Sequence, residues 1–199
     1  MHDAMLPSCM MHDATIVPLD ASTLRLEFVA SLGPLPVHGR FRTLRGRLVL
    51  PVTDIASASL EVDVDADSVD TGLAARDRHL RGASFLNVAR HPRISFVSRL
   101  VSVDGGDLLV AGRMTLCGVP RDVVTRCSVP HASSAATDGS IALFAELDIP
   151  IREYGIGVPR GLDVLNPIFL AVGRQVRVTV ALAVPASRLL PALLPAPGR

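Results

Sequence analysis

The sequence predicts an all-β fold of eight antiparallel strands with one short helix inserted at about residues 71–81. Three observations predict it. The first is composition. All 20 basic residues are arginine, Glu occurs four times and Gln once, so the flexible side chains that favour exposed helices are nearly missing. Val alone supplies 24 residues, with 8 Ile and 9 Thr, and β-branched side chains fit a pleated, half-buried surface. The second is a period of two that recurs along the chain. The third is spacing: strand-like runs follow one another through short turns without a βαβ rhythm, which makes neighbours antiparallel. At 49% hydrophobic residues the chain is not a disordered one, and 199 residues suit a single domain. A net charge of +1 gives no general attraction to nucleic acid or acidic membranes.

The elements follow in order. Residues 1–14 read as an N-terminal extension, in which Met1-His2-Asp3-Ala4 recurs as Met11-His12-Asp13-Ala14. The first 24 residues hold no Lys or Arg, so no signal peptide is read. No run nears the roughly 18 apolar residues of a membrane span, and the expectation is a soluble cytoplasmic protein. In the first strand Leu24, Leu26 and Phe28 alternate with Arg25 and Glu27. Residues 31–38 read as irregular. Leu44, Gly46, Leu48 and Leu50 mark the second strand, and Ala58, Leu60, Val62 and Val64 the third. The helix over 71–81 has Asp70 or Thr71 to cap it, Leu73 and Leu80 on one face, and Gly82 to end it. Residues 84–88 add a turn. The fourth strand, 94–103, meets the fifth, 108–116, through Asp104-Gly105-Gly106-Asp107, a hairpin signal. Cys117-Gly118-Val119-Pro120-Arg121 leads to the sixth strand, 123–129, and Thr137-Asp138-Gly139-Ser140 to the seventh, 141–149. Residues 154–173 read as irregular, and Val176, Val178, Val180 and Leu182 form the eighth strand. The domain spans 15–186. Residues 187–199 form a Leu/Pro-rich tail in which Pro191, Pro195 and Pro197 oppose a helix.

Eight such strands make a sandwich or a closed barrel, and the pattern alone leaves both open. With six Phe, one Tyr and no Trp, the inward positions are small, which favours an apolar cavity over a filled core. Cys9, Cys117 and Cys127 match no metal or redox spacing and read as structural thiols. Asp77 and His79 lie two apart and do not share a helix face. With His38 and His91 they are the material of a metal or acid/base cluster. No paired metal-ligand spacing, G-x-S-x-G elbow or Gly-rich phosphate loop accompanies them. No metal, cofactor or catalytic group is therefore assigned. Asp77 is expected to pair with an Arg, His79 to satisfy backbone groups, and Arg152 to anchor its loop through carbonyls or an Asp. Arg40, Arg42, Arg45 and Arg47 form one cluster, and Arg76, Arg78, Arg81, Arg90 and Arg93 another. Guanidinium forks suit phosphate, and the clusters are either a phosphate-gripping rim or a solvated outer face paired with Asp. Nucleic acid is not an expected partner, because acids balance the arginines and no aromatics interleave them.

Four blocks carry a resemblance. They are Val37-His38-Gly39-Arg40-Phe41 with Leu44-Arg45-Gly46; residues 67–72, 76–81, Phe85 and 91–96; residues 112–121; and residues 151–156, followed by a closing Val176-Arg177-Val178. Over roughly residues 15–186 the chain resembles the YceI-like family of lipocalin-like polyisoprenoid-binding proteins. It departs from the pattern at Leu44, at Leu86-Asn87-Val88 and at Gly173-Arg174-Gln175. The resemblance implies an eight-stranded antiparallel lipocalin-like barrel around a long hydrophobic pore. It also implies non-enzymatic binding, transport or sequestration of an isoprenoid lipid, such as a polyprenyl phosphate or quinone, or of another long hydrophobic small molecule. The lining candidates among the Leu, Val, Phe and Met residues are then Leu26, Phe28, Phe41, Leu60, Val62, Phe96, Val110, Met114, Phe144, Val178 and Val180. His38, Arg78, His79, Arg81 and Arg152 are the candidates for a polar mouth. The alternatives are an enzyme using the His38/Asp77/His79 region on a lipophilic substrate, and a ligand-free interaction barrel. A homodimer is left open.

Overall fold

Each alternating run pairs with the next, and the sheet they build curls back on itself. The computed structural model describes residues 14–52, 54–129, 139–158 and 172–193. Among them are eleven strands in one sheet: β1 (Ala14–Leu19), β2 (Leu24–Leu32), β3 (Leu35–Phe41), β4 (Leu44–Pro51), β5 (Ser59–Asp65), β6 (Val69–Asp70), β7 (Arg93–Asp104), β8 (Asp107–Leu116), β9 (Val119–Ser128), β10 (Ser140–Pro150) and β11 (Val172–Pro185). Every pairing is antiparallel.

The count of eleven contains the expected eight. Only Arg42 and Thr43 separate β3 from β4, and the 3-10 turn Ala66–Ser68 separates β5 from β6. Each couple is one bent stave. Phe41 pairs with Val69 on one side of the bend and Leu44 with Val64 on the other. The pairings therefore run in a ring: β2, β3/β4, β5/β6, β7, β8, β9, β10, β11 and back to β2. β1 is an extra strand laid along β4, Ala14 opposite Pro51 to Leu19 opposite Gly46.

Three local expectations are corrected. Residues 31–38 are not irregular: β2 continues to Leu32, turns through Gly33 at φ +60 and Pro34, and returns as β3. The helix, α1, starts at Ala74 after Leu73, without a side-chain cap. Asp70 instead accepts from the Gly72 N–H at 3.1 Å. Thr71 is also no cap; it donates to Asp77, from its N–H at 2.9 Å and from its hydroxyl. Leu73 is exposed rather than packed beside Leu80. The described part of the tail, up to Leu193, is helical. Residues Ala186–Leu193 form α2 with Pro191 inside it, because Leu189 and Ala192 each find a buried site at 1% exposure and packing outweighs the missing backbone bond. Gly82 ends α1 as expected, its N–H donating to the His79 carbonyl. Residues 1–13 with Cys9, Thr137, Asp138, 159–171, and 194–199 with Pro195 and Pro197 lie outside the described residues.

The antiparallel order gives the barrel two unlike ends. The starts of β2 and β10 and the ends of β4 and β11 gather at one end with β1 and α2, in a cluster holding Val17, Leu50, Ile141, Val184 and Leu189. At the other end lie α1 and the 3-10 turn Ile151–Tyr154, over a second cluster of Phe85, Leu116, Ile149 and Tyr154.

Candidate functional site

Between the two clusters lies an apolar cavity of about 320 Å³, inside the range of roughly 300–1,000 Å³ typical of small-molecule sites. Ten of the eleven lining candidates face it: Leu26, Phe28, Phe41, Leu60, Val62, Phe96, Val110, Met114, Val178 and Val180. Phe144 does not. It stands 46% exposed, because β10 turns Leu143, Ala145 and Leu147 inward and Phe144 has the opposite parity. Two of the rings reach over glycines of the neighbouring strand. A Cβ on Gly39 would stand 2.3 Å from Phe28 Cζ, and one on Gly112 would stand 2.6 Å from Phe96 Cζ. The phenyl groups thereby occupy space that a side chain would fill, and the lumen stays open. Phe28 also meets Phe41, ring centres 5.7 Å apart.

The polar lining is short: Ser31, Arg76, His79, Thr125 and Cys127. Two of these come from α1, at spacing i, i+3, with Leu80 beside them on the same face. Arg76 donates from Nε to the Thr71 hydroxyl and from Nη2 to the Thr71 carbonyl, both at 2.8 Å. Thr71 in turn passes its hydroxyl proton toward Asp77. Asp77, 7% exposed, is thus satisfied by Thr71 rather than by the expected arginine ion pair. His79 packs its ring on Phe85, 4.9 Å between centres, rather than serving backbone groups.

The other expected mouth residues lie elsewhere. His38 has the parity opposite to the cavity-facing Val37 and is exposed. Arg78 is exposed on the outer face of α1. Arg81 is a staple: it donates to the Asp67 carbonyl at 2.7 Å and the Val69 carbonyl at 3.0 Å, and pairs with the Asp67 carboxylate at 3.0 Å. Arg152 donates to the Gly157 carbonyl, the loop-anchoring bond expected of it. His38, Asp77 and His79 are therefore not gathered into one cluster, and among the described residues no group of three or more His, Cys, Asp or Glu could hold a metal. The first arginine cluster serves the outer face. Arg40 and Arg42 share Asp70 at 3.1 and 2.8 Å, and Arg47 holds Glu61 at 2.9 Å. The Arg42 bond, the Gly72 N–H and Arg40 together hold the Asp70 carboxyl down at about 2. Sequence reasoning placed Arg76 in the second arginine cluster but not among the mouth candidates. The signal was its shared helical face with His79 and Leu80.

A side opening adjoins the mouth. β9 and β10 pair only at Phe144 with Ser128 and Ala145 with Cys127. Toward α1 they splay, and Val123, Leu147 and Ile149 line both the cavity and an outer groove. Side chains lace the gap: the Thr125 hydroxyl donates to the Glu146 carbonyl at 3.0 Å, and Arg121 pairs with Glu153 at 2.9 Å. Cys127 sits inside, where burial pushes its thiol up to about 11, with Asp107 adding to the effect.

A curled antiparallel sheet around an apolar cavity, backed by β1 and α2 at one end and edged by Arg76 and His79 at the α1 end, defines a lipocalin-like barrel. The particular family follows from comparison: the YceI-like domain model matches residues 18–184, and the chain belongs to that family. Protein YceI of Escherichia coli O17:K52:H18 (strain UMN026 / ExPEC) is 33% identical over 134 residues, which are 67% of this chain and 70% of that protein. Protein YceI of Salmonella arizonae is 31% identical over the same length. Among solved structures, Burkholderia cenocepacia BcnA matches with a TM-score of 0.69 at 18% identity, over 81% of this chain and 96% of that one. A polyisoprenoid binding domain from Saccharophagus degradans, implicated in plant cell wall breakdown, matches with a TM-score of 0.60 at 19% identity, over 84% and 96%. At such identities the structural likeness is one of fold.

Proposed function

We propose that this protein binds and carries or sequesters an isoprenoid-type lipid, a polyprenyl phosphate or a quinone-like molecule, without chemical conversion. One observation carries the reading: the cavity is apolar along its length and gathers Arg76 and His79 at its α1 end. An apolar chain gains roughly 25 cal/mol for each Å² removed from water there. A polar head then meets a guanidinium already oriented by two bonds to Thr71, and guanidinium matches phosphate oxygens well. The fold neighbour described as a polyisoprenoid binding domain supports the same ligand class. Native mass spectrometry of the purified protein, followed by lipid extraction, tests it. A co-purifying prenyl lipid is the expected result. A protein that emerges empty and has no affinity for prenyl phosphates or quinones refutes it.

A further inference from the structure

The cavity has a floor, and α2 is part of it. Along β11 the inward residues Val178, Val180 and Leu182 line the cavity, but Val184, two residues on, is 0% exposed and lies outside it. On the neighbouring strand Leu143, opposite Leu182, lines the cavity, and Ile141, opposite Val184, is buried beyond it. The lumen therefore stops at one layer, and α2 begins immediately after it. Leu189 and Ala192, three apart and so on one helix face, belong to the same apolar cluster as Leu143 and Leu182. The helix packs against β11 and β4, on either side of β2, at this end of the barrel. The Ala186 N–H donates to the Gly139 carbonyl at 2.9 Å and ties its start to the β10 side. Pro191 deprives this eight-residue helix of one internal bond, so its position rests on Leu189 and Ala192. The family match ends at residue 184, and the helix lies beyond it.

We propose that α2 is a stopper that sets the longest apolar chain the cavity accepts, with Leu189 as the specificity-determining residue. The inference rests on the lipid-binding reading above. A chain entering from the α1 end contacts new wall with each added isoprene unit until it meets the Leu182–Val184 layer. Past that point an extra unit gains nothing, because Leu189 fills the space behind it. Shortening Leu189 lets the chain tip advance and bury further methyl and methylene groups.

The test uses the full chain and three prenyl alcohols of increasing length: farnesol, geranylgeraniol and solanesol. Affinities are measured by titration calorimetry for the wild type, Leu189→Ala and Leu189→Val, each checked for a cooperative melt. The wild-type affinity is expected to rise with length and then level off. In Leu189→Ala the ratio of solanesol to farnesol affinity rises about tenfold, and in Leu189→Val it rises less, in the same direction. The milder variant keeps the comparison available if Leu189→Ala does not fold. An unchanged length ratio in the folded variants refutes the stopper while leaving lipid binding in place. Failure of all three alcohols to bind the wild type refutes the binding reading, and the stopper with it.

Discussion

Gly39→Ala should narrow the cavity by moving a ring that the substitution does not touch chemically. A Cβ at position 39 would stand 2.3 Å from Phe28 Cζ and 2.8 Å from both Cε atoms. Carbon atoms pack at about 3.5–4.0 Å, so the ring must retreat by roughly 1.2 Å. The neighbouring Phe41 ring, 5.7 Å away between centres, restricts sideways movement, and the lumen is the open direction. Overfilling a packed site typically costs about 1–3 kcal/mol, and an open lumen absorbs part of that. The melting temperature should therefore fall by only a few degrees, while prenyl-lipid affinity drops about fivefold to tenfold, since about 1.4 kcal/mol is one decade. Calorimetric titration beside a thermal melt reads both quantities. Phe28→Leu combined with Gly39→Ala should recover most of the affinity, because the shorter side chain clears the new methyl. Unchanged binding in Gly39→Ala, or a double variant no better than the single one, refutes the idea that this glycine preserves the lumen.

Other outcomes follow from the same geometry. Arg76→Leu should weaken a prenyl phosphate about tenfold or more, as loss of a charge-assisted bond of roughly 1.5–3 kcal/mol requires, and change a quinone little; Arg78→Ala should leave both untouched, and equal losses for the two ligands would refute the assignment. The thiol of Cys127, held at about 11, should resist iodoacetamide at neutral pH in a Cys9→Ser, Cys117→Ser background. Its rate should climb about tenfold per pH unit toward that value, since only the thiolate reacts, and bound lipid should slow it; rapid labelling at pH 7 contradicts the burial. Asp70 sits at about 2 in the folded chain against an ordinary 3.8, so its contribution to stability is full above the ordinary value and disappears as the pH falls toward 2. Acid melts of the wild type should show this loss, and Asp70→Asn should flatten it; parallel curves would exclude Asp70 as the source.

Legibility in the sequence differed from element to element, for physical reasons. Strands with one dry face declare themselves by alternation, so the eight staves and most of the wall residues were legible from parity. β3 was hidden because Pro36 and Gly39 interrupt its pattern, although Gly39 is there to admit the Phe28 ring. Phe144 was misplaced because size suggested the interior where parity assigned the surface. The polar mouth was misassigned to Arg78 and Arg81 because arginines in a cluster look alike until the rotation of α1 is known. That rotation turns Arg76 and His79 to the cavity and commits Arg81 to two carbonyls. The sequence by itself determined the antiparallel strands and which side of most of them is dry, because alternation and turn residues act over a few neighbours, while the choice of a barrel over a sandwich came from the family resemblance of its motifs. Only the tertiary structure decided where the cavity stops, that β9 and β10 part beside its mouth, and that the proline-bearing segment after Pro185 folds as a helix across its floor. Those features depend on contacts between residues far apart in the chain, such as α2 with β4, and no local pattern encodes which distant surface a short helix will find.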